Sequence, residues 1–94
     1  MPEVAWAPSF RRAFRHYTRR HSHTAGQVAD ILRRLAEDPF APGLDTHKLR
    51  GTLEGLWACS VECDCRIVFD LVKEPGAAEQ LVLLVDIGTH EEVY

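Results

Sequence analysis

Ninety-four residues with 46% apolar side chains describe one small globular domain and argue against an intrinsically disordered chain. A formal net charge of −3 does not argue for free-standing affinity for nucleic acid. The start, Met1 to Phe10, has no apolar h-region, and the longest aliphatic run, Leu81 to Val85, is far too short to span a bilayer. A soluble, cytoplasmic chain is therefore expected.

Taken in chain order, Val4 to Trp6 reads as a short strand, and Pro8 suits the first turn of a helix. Phe10, Ala13, Phe14 and Tyr17 fall at i, i+3, i+4 and i+7, one face of that helix, and arginines ride on another. His21-Ser22-His23 interrupts the pattern. Thr24-Ala25-Gly26-Gln27 then reads as a capping box opening a second helix. Val28, Ile31, Leu32 and Leu35 carry its apolar face until Pro39 ends it. After the loop Pro39 to Asp45 the period changes. Leu56–Glu62, Cys65–Val72 and Gln80–Asp86 are short, aliphatic and aromatic, as strands are. Cys63-Asp64 is expected to turn between the first two, and Lys73 to Glu79 to connect the second and third. Leu81 to Val85 is apolar on both faces and is placed centrally, with a glycine turn at Gly88 releasing it. The expected fold is α+β: one domain over residues 1–94, with an N-terminal helical hairpin packed on a three- to four-stranded, mainly antiparallel sheet.

Charge is unevenly spread. Residues 1–50 carry a net +4 and residues 51–94 a net −7. Arg11, Arg12, Arg15, Arg19 and Arg20 lie within ten residues, a basic face that suits phosphates or an acidic partner, although such clusters are commonly solvated helix faces. Cys59, Cys63 and Cys65 form an odd, crowded set, which fits reduced thiols better than a disulfide framework. A zinc site from His21, His23, Cys63 and Cys65 would need spacings tighter than zinc sites use, so no metal is expected.

The residues with chemistry to offer are His47, Lys48, Arg50, Asp64, Arg66, His90 and Tyr94. RNA can be cut without a metal when a base takes the 2′-hydroxyl proton, cations steady the charged phosphorane, and an acid protonates the departing 5′-oxygen. Histidine suits either proton-transfer role, and Lys and Arg suit the electrostatic one. Each residue also has a structural reading. Thr89-x-x-Glu92 is a capping box that would place His90 in the first turn of a short helix. His47 lies in a polar loop, Asp64 suits an Asx-turn, and Tyr94 could cover the core.

In order, the chain shows a helix hairpin, Asp38-Pro39-Phe40, His47-x-Leu49-x-Gly51, Asp64-x-Arg66-Ile67-Val68-Phe69, Gly88-Thr89-His90 and Tyr94. Along nearly its whole length this resembles the RelE/ParE toxin superfamily, and within it the YafQ-like and RelE-like mRNA interferases. The resemblance implies the toxin of a type II toxin–antitoxin system: a ribosome-dependent mRNA endonuclease acting by metal-independent 2′-hydroxyl attack, without cofactor. It matches His47 and His90 to catalytic histidines, Asp64 to an acidic catalytic residue, Tyr94 to a functional aromatic, and Arg66 to the arginine of a strand in RelE relatives. Lys48 and Arg50 would hold phosphate. The implied partners are a cognate antitoxin, whose acidic residues would meet Arg11, Arg12, Arg15 and Arg19, and the ribosome with its mRNA. Three positions depart from the YafQ pattern: Ser60 replaces a second histidine, Cys65 a tryptophan and Asp86 an arginine. Two alternatives follow, a ParE-like gyrase inhibitor or a catalytically weakened homologue that still binds antitoxin.

Overall fold

The computed structural model describes residues 3–61 and 64–94. A first strand, β1 (Glu3–Trp6), leads into helix α1 (Pro8–Arg20), which begins with proline at its first turn as expected. The predicted stripe is the one that buries: Phe10 is fully enclosed and Tyr17 nearly so. Trp6 meets Phe10 and Phe14 edge-on, with ring centroids 4.8 and 5.2 Å apart. Helix α2 (Ala25–Glu37) buries Val28, Ile31 and Leu35 against the same core. Burying each such side chain contributes about 1.5–3 kcal/mol.

The capping box expected at Thr24 does not form. Residues Ser22–Thr24 make a 3-10 turn that runs directly into α2, so Thr24 is already helical. Its hydroxyl turns back to donate to the His21 carbonyl at 2.6 Å and is buried there.

Among the described residues the sheet has five strands in the order β1-β5-β4-β3-β2, where β2 is His47–Lys48, β3 Trp57–Ser60, β4 Cys65–Val72 and β5 Leu81–Thr89. Of these pairings β1–β5 is parallel and the other three are antiparallel. The expected three or four strands become five because the polar segment at His47 pairs with β3. Leu49 is buried just beyond it and donates its N–H to the Leu56 carbonyl, which zips the chain onto the edge. The segment Leu81 to Val85 does lie inside the sheet, but β5 continues to Thr89. Gly88 sits within the strand opposite Arg66 rather than in a turn. Cys63, expected at the β3–β4 turn, and Glu62, expected to end β3, lie outside the described residues.

The two sheet faces have different tasks. Cys59, Cys65, Ile67, Phe69, Val82, Leu84 and Ile87 join α1 and α2 in the main core. Ala58, Val68 and Leu49 face the other way and pack with Val93 of a last helix, α3 (His90–Val93). Leu84 and Ile87 are three residues apart yet share the main core. A bulge reconciles them: Val68 pairs with Asp86 and Phe69 with Leu84, so Val85 is the extra residue. Ser9 donates its hydroxyl to the Val85 carbonyl at 2.7 Å, satisfying an acceptor where β1 has ended. Among the described residues no helix is long and apolar enough to cross a membrane.

Candidate functional site

Strand pairing places side chains before any chemistry is considered. Cross-strand partners share a face, so the face opposite α1 and α2 carries one row of His47, Ala58, Val68 and Asp86. A second row holds Ser60, Arg66 and Gly88. Helix α3 folds back onto this face at the end of β5.

The return of α3 is set by two local devices. Thr89 Oγ1 accepts from the Glu92 N–H at 3.3 Å, and Glu92 Oε1 accepts from the Thr89 N–H at 2.9 Å, so the predicted capping box is present. The Thr89 N–H is the main reason the Glu92 carboxyl is held below its ordinary value, with the Thr89 hydroxyl and the Arg20 and His16 charges adding to the effect. Gly88 supplies the space. A Cβ there would stand 3.1 Å from the Glu92 Cβ and 3.3 Å from Val93 Cγ1.

His90 opens α3 and its N–H donates to the Asp64 carbonyl at 3.1 Å. Tyr94 follows at i+4, on the same helix face, and packs edge-on against the His90 ring with centroids 4.4 Å apart. The Tyr94 hydroxyl reaches 3.3 Å from His47 Nε2. Tyr94 therefore touches both histidines, one from the edge strand β2 and the other from the helix that follows the inner strand β5.

The tautomer of His47 follows from its other contact. Nδ1 lies 2.8 Å from the Asp45 carbonyl oxygen, which can only accept, so Nδ1 carries the hydrogen. In the neutral ring Nε2 then presents its lone pair to the Tyr94 hydroxyl. Asp45 holds this arrangement from a left-handed backbone conformation with φ 55°, one that aspartate tolerates better than most side chains.

Arg66 lies on this face, half-buried, with Nη1 donating to the Cys65 carbonyl at 3.1 Å. Burial pushes the Tyr94 phenol above its ordinary pKa, while the Arg66 charge pulls it back down. Asp86 occupies the same face. Burial is the main cause that raises its carboxyl, the Ile87 N–H it accepts works against that, and the Glu92 charge adds to it. The site thus gathers two imidazoles, a phenol and a guanidinium on an open surface.

Other candidates fall elsewhere. Asp64 is exposed, and its part in the cluster is the main-chain bond to His90. Lys48 points to the opposite side of β2 from His47, with its ammonium 5.4 Å above the Trp57 ring. Arg50 is exposed beyond the buried Leu49 and lines a groove with Lys48 and Trp57. Arg11, Arg12, Arg15 and Arg19 are exposed along α1, and Arg20 pairs with Glu92 at 3.5 Å. Asp45, which orients His47, carried no such signal in the sequence, and Gly88 was read as a turn rather than as the space beneath α3. The Thr-x-x-Glu spacing did carry a signal.

The model of the YafQ family, a bacterial toxin of type II toxin–antitoxin systems, matches residues 2–94. No curated protein sequence matches the chain significantly. Among solved structures, YafQ from Escherichia coli strain BL21(DE3) is similar with a TM-score of 0.79 and 14% identity, over 100% of this chain and 99% of that one. A YoeB/ParE toxin from Agrobacterium tumefaciens gives 0.73 and 19%, over 94% and 98%. A chain of the E. coli DinJ–YafQ toxin–antitoxin complex gives 0.77 and 15%, over 99% and 97%. At such identities these structures speak for the fold, and the family match speaks for kinship: the chain belongs to the YafQ family of bacterial toxins of type II toxin–antitoxin systems.

Proposed function

We propose that this toxin is a ribosome-dependent mRNA endonuclease. The observation that carries the reading is the Tyr94 hydroxyl 3.3 Å from His47 Nε2, with Tyr94 also packed on His90. It brings two proton-transfer groups to one face beside Arg66. His47 Nε2 takes the proton from a ribose 2′-hydroxyl, and the freed oxygen attacks the adjacent phosphorus. Arg66 steadies the negative charge that accumulates on the phosphorane. Protonated His90 gives its proton to the departing 5′-oxygen, leaving a 2′,3′-cyclic phosphate and a 5′-hydroxyl. Tyr94, which donates to His47 in the free protein, turns its hydroxyl to the substrate when RNA enters. Asp64 contributes by holding the His90 main chain. No metal or cofactor takes part.

The partners in this reading are the ribosome with its mRNA and a cognate antitoxin, as E. coli YafQ is found with DinJ. Arg11, Arg12, Arg15 and Arg19 meet acidic antitoxin residues or ribosomal RNA. The chain acts in the cytoplasm, where these partners are.

The test is primer extension on a translated mRNA after brief induction of wild type, His90→Ala and the His47→Ala/His90→Ala double variant. New 5′ ends at ribosomal A-site positions are expected in wild type. They should fall about 10²–10⁴-fold on loss of a proton-transfer group. Equal cleavage in the double variant would sink the mechanism. Intact mRNA with gyrase-dependent DNA damage would point instead to a ParE-like toxin. Intact mRNA with normal growth would leave an antitoxin-binding homologue.

A further inference from the structure

The two exposed large apolar side chains among the described residues, Phe40 at 51% and Tyr94 at 44%, flank the two-residue strand β2 from opposite sides. Tyr94 meets His47, its first residue. Phe40 packs edge-on against Trp57, with centroids 5.0 Å apart, and Lys48, the second residue of β2, lies over the same indole. Successive strand residues point to opposite faces, so β2 is a ridge with the histidine site on one flank and an aromatic, cationic surface on the other. An open groove runs from His47 past Lys48, Arg50 and Trp57, with Glu54 on its wall.

We propose that this groove and the Phe40–Trp57 ring pair form a second subsite, which takes one nucleotide of single-stranded RNA flanking the one cut at His47 and His90. The proposal rests on the endonuclease reading and names how its substrate is held. The exposed Phe40 ring offers a stacking surface to any base, because every base has a π-face. In the groove Lys48 and Arg50 place two cations against the Glu54 carboxylate, and beside Phe40 the charges of Lys73 and Glu79 offset one another, a balance that suits the phosphate of that nucleotide. Lys48 remains over Trp57 while doing so, since its ammonium is attracted to the ring face and keeps donors for an anion. RNA is favoured over an acidic peptide because the groove is continuous with His47. One strand can cross the ridge of β2 and touch both flanks.

The experiment measures fluorescence anisotropy with a 2′-O-methylated hexanucleotide, which lacks the attacking hydroxyl, and with versions shortened from either end. Phe40→Ala should weaken binding of the full hexanucleotide about tenfold, the low end for one lost base stack. Phe40→Trp should retain wild-type binding and Lys48→Gln should weaken it. Shortening from one end should abolish the Phe40→Ala penalty, because the stacked nucleotide is gone. The proposal is overturned if wild type binds none of these RNAs, or if the penalty is absent or independent of length. It also falls if Phe40→Ala leaves RNA affinity intact and instead loosens the antitoxin complex. The length signature with translated mRNA left uncut would keep the subsite and remove the nuclease.

Discussion

Gly88→Ala tests whether the site depends on how closely α3 lies on the sheet. The added methyl would stand 3.1 Å from the Glu92 Cβ, 3.2 Å from Glu92 Oε1 and 3.3 Å from Val93 Cγ1. Oε1 cannot simply swing away, because it accepts the Thr89 N–H that closes the capping box. Relief therefore comes from α3 lifting by a few tenths of an ångström. Overpacking of this kind costs about 1–3 kcal/mol. Against it stand the burial of Val93, about 1.5–3 kcal/mol, and the cap, about 1 kcal/mol. The exposed Arg20–Glu92 pair adds about 0–1 kcal/mol. The clash is thus comparable to the forces that dock α3 but small beside those of the main core, so α3 shifts while the sheet persists. A Tm decrease of roughly 5–15 °C is expected for a chain of this size. On the endonuclease reading cleavage should fall severalfold, less than the roughly 10²-fold that a full ångström of misplacement can cost. Thermal melts, the Tyr94–His47 ring contact read by NMR, and primer extension supply the three readouts. Wild-type cleavage with that contact intact would refute the argument.

Three further outcomes follow from single groups. Gly26→Ala, in the first turn of α2 with nothing within 4 Å of the new methyl, should stabilise the protein by about 0.5 kcal/mol; a lower midpoint in urea would contradict this. The Asp86 pKa is raised on folding, so the native state binds more protons than the unfolded one between the two pKa values, and stability is lost as pH rises through that window. Asp86→Asn should therefore raise Tm at pH 7 and change it little at pH 3.5, whereas Glu92, whose pKa is lowered, loses its contribution as pH falls. A lower Tm for Asp86→Asn at pH 7 would show that its charge is compensated. Burial, reinforced by Cys65, pushes the Cys59 thiol up to about 12, so it should resist iodoacetamide at pH 8 until the protein unfolds. Site-resolved mass spectrometry showing native labelling of Cys59 would count against its enclosure.

The sequence was most legible where one periodicity governs one element. Phe10, Ala13, Phe14 and Tyr17 identify α1 because its buried face needs that spacing, and Thr89-x-x-Glu92 identifies the cap of α3 because the two bonds need those side chains. It was least legible where distant strands decide. His47–Lys48 has no apolar alternation, and only the backbone of β3 makes it a strand. Gly88 has the composition of a turn, yet β4 offers pairing partners as far as Thr89, and the absent side chain serves α3 instead. Thr24 has a good capping spacing, but it ends a 3-10 turn that offers its hydroxyl the His21 carbonyl first. In the site, the two histidines and Tyr94 were nameable individually. Their convergence depends on sheet order, and the divergence of Lys48 from His47 depends on a strand that was not anticipated.

The bulge in β5 ties these observations to a last prediction. A one-residue change in an inner strand ordinarily turns every following side chain to the wrong face. Here Val85 is already supernumerary, and removing it would leave Phe69 opposite Leu84 and Val68 opposite Asp86 in an unbroken ladder. Ile87 would stay in the main core, and Asp86 and Gly88 on the face of His47. Deletion of Val85 should therefore yield a folded protein that has lost the partly buried Val85 side chain and its bond from Ser9. The cost is about 2–4 kcal/mol. Deletion of Val68, in the unbulged β4, has no such reserve: either Phe69 leaves the core or Ile67 and Cys65 do, and the chain should not fold. Circular dichroism and urea unfolding of the two deletions separate these outcomes. If both were equally unfolded, the bulge would be required for the fold itself. If Val85 can go, its purpose lies in the added local twist at the point where β5 carries α3 towards His47, and the Tyr94–His47 contact should loosen in a protein that otherwise remains intact.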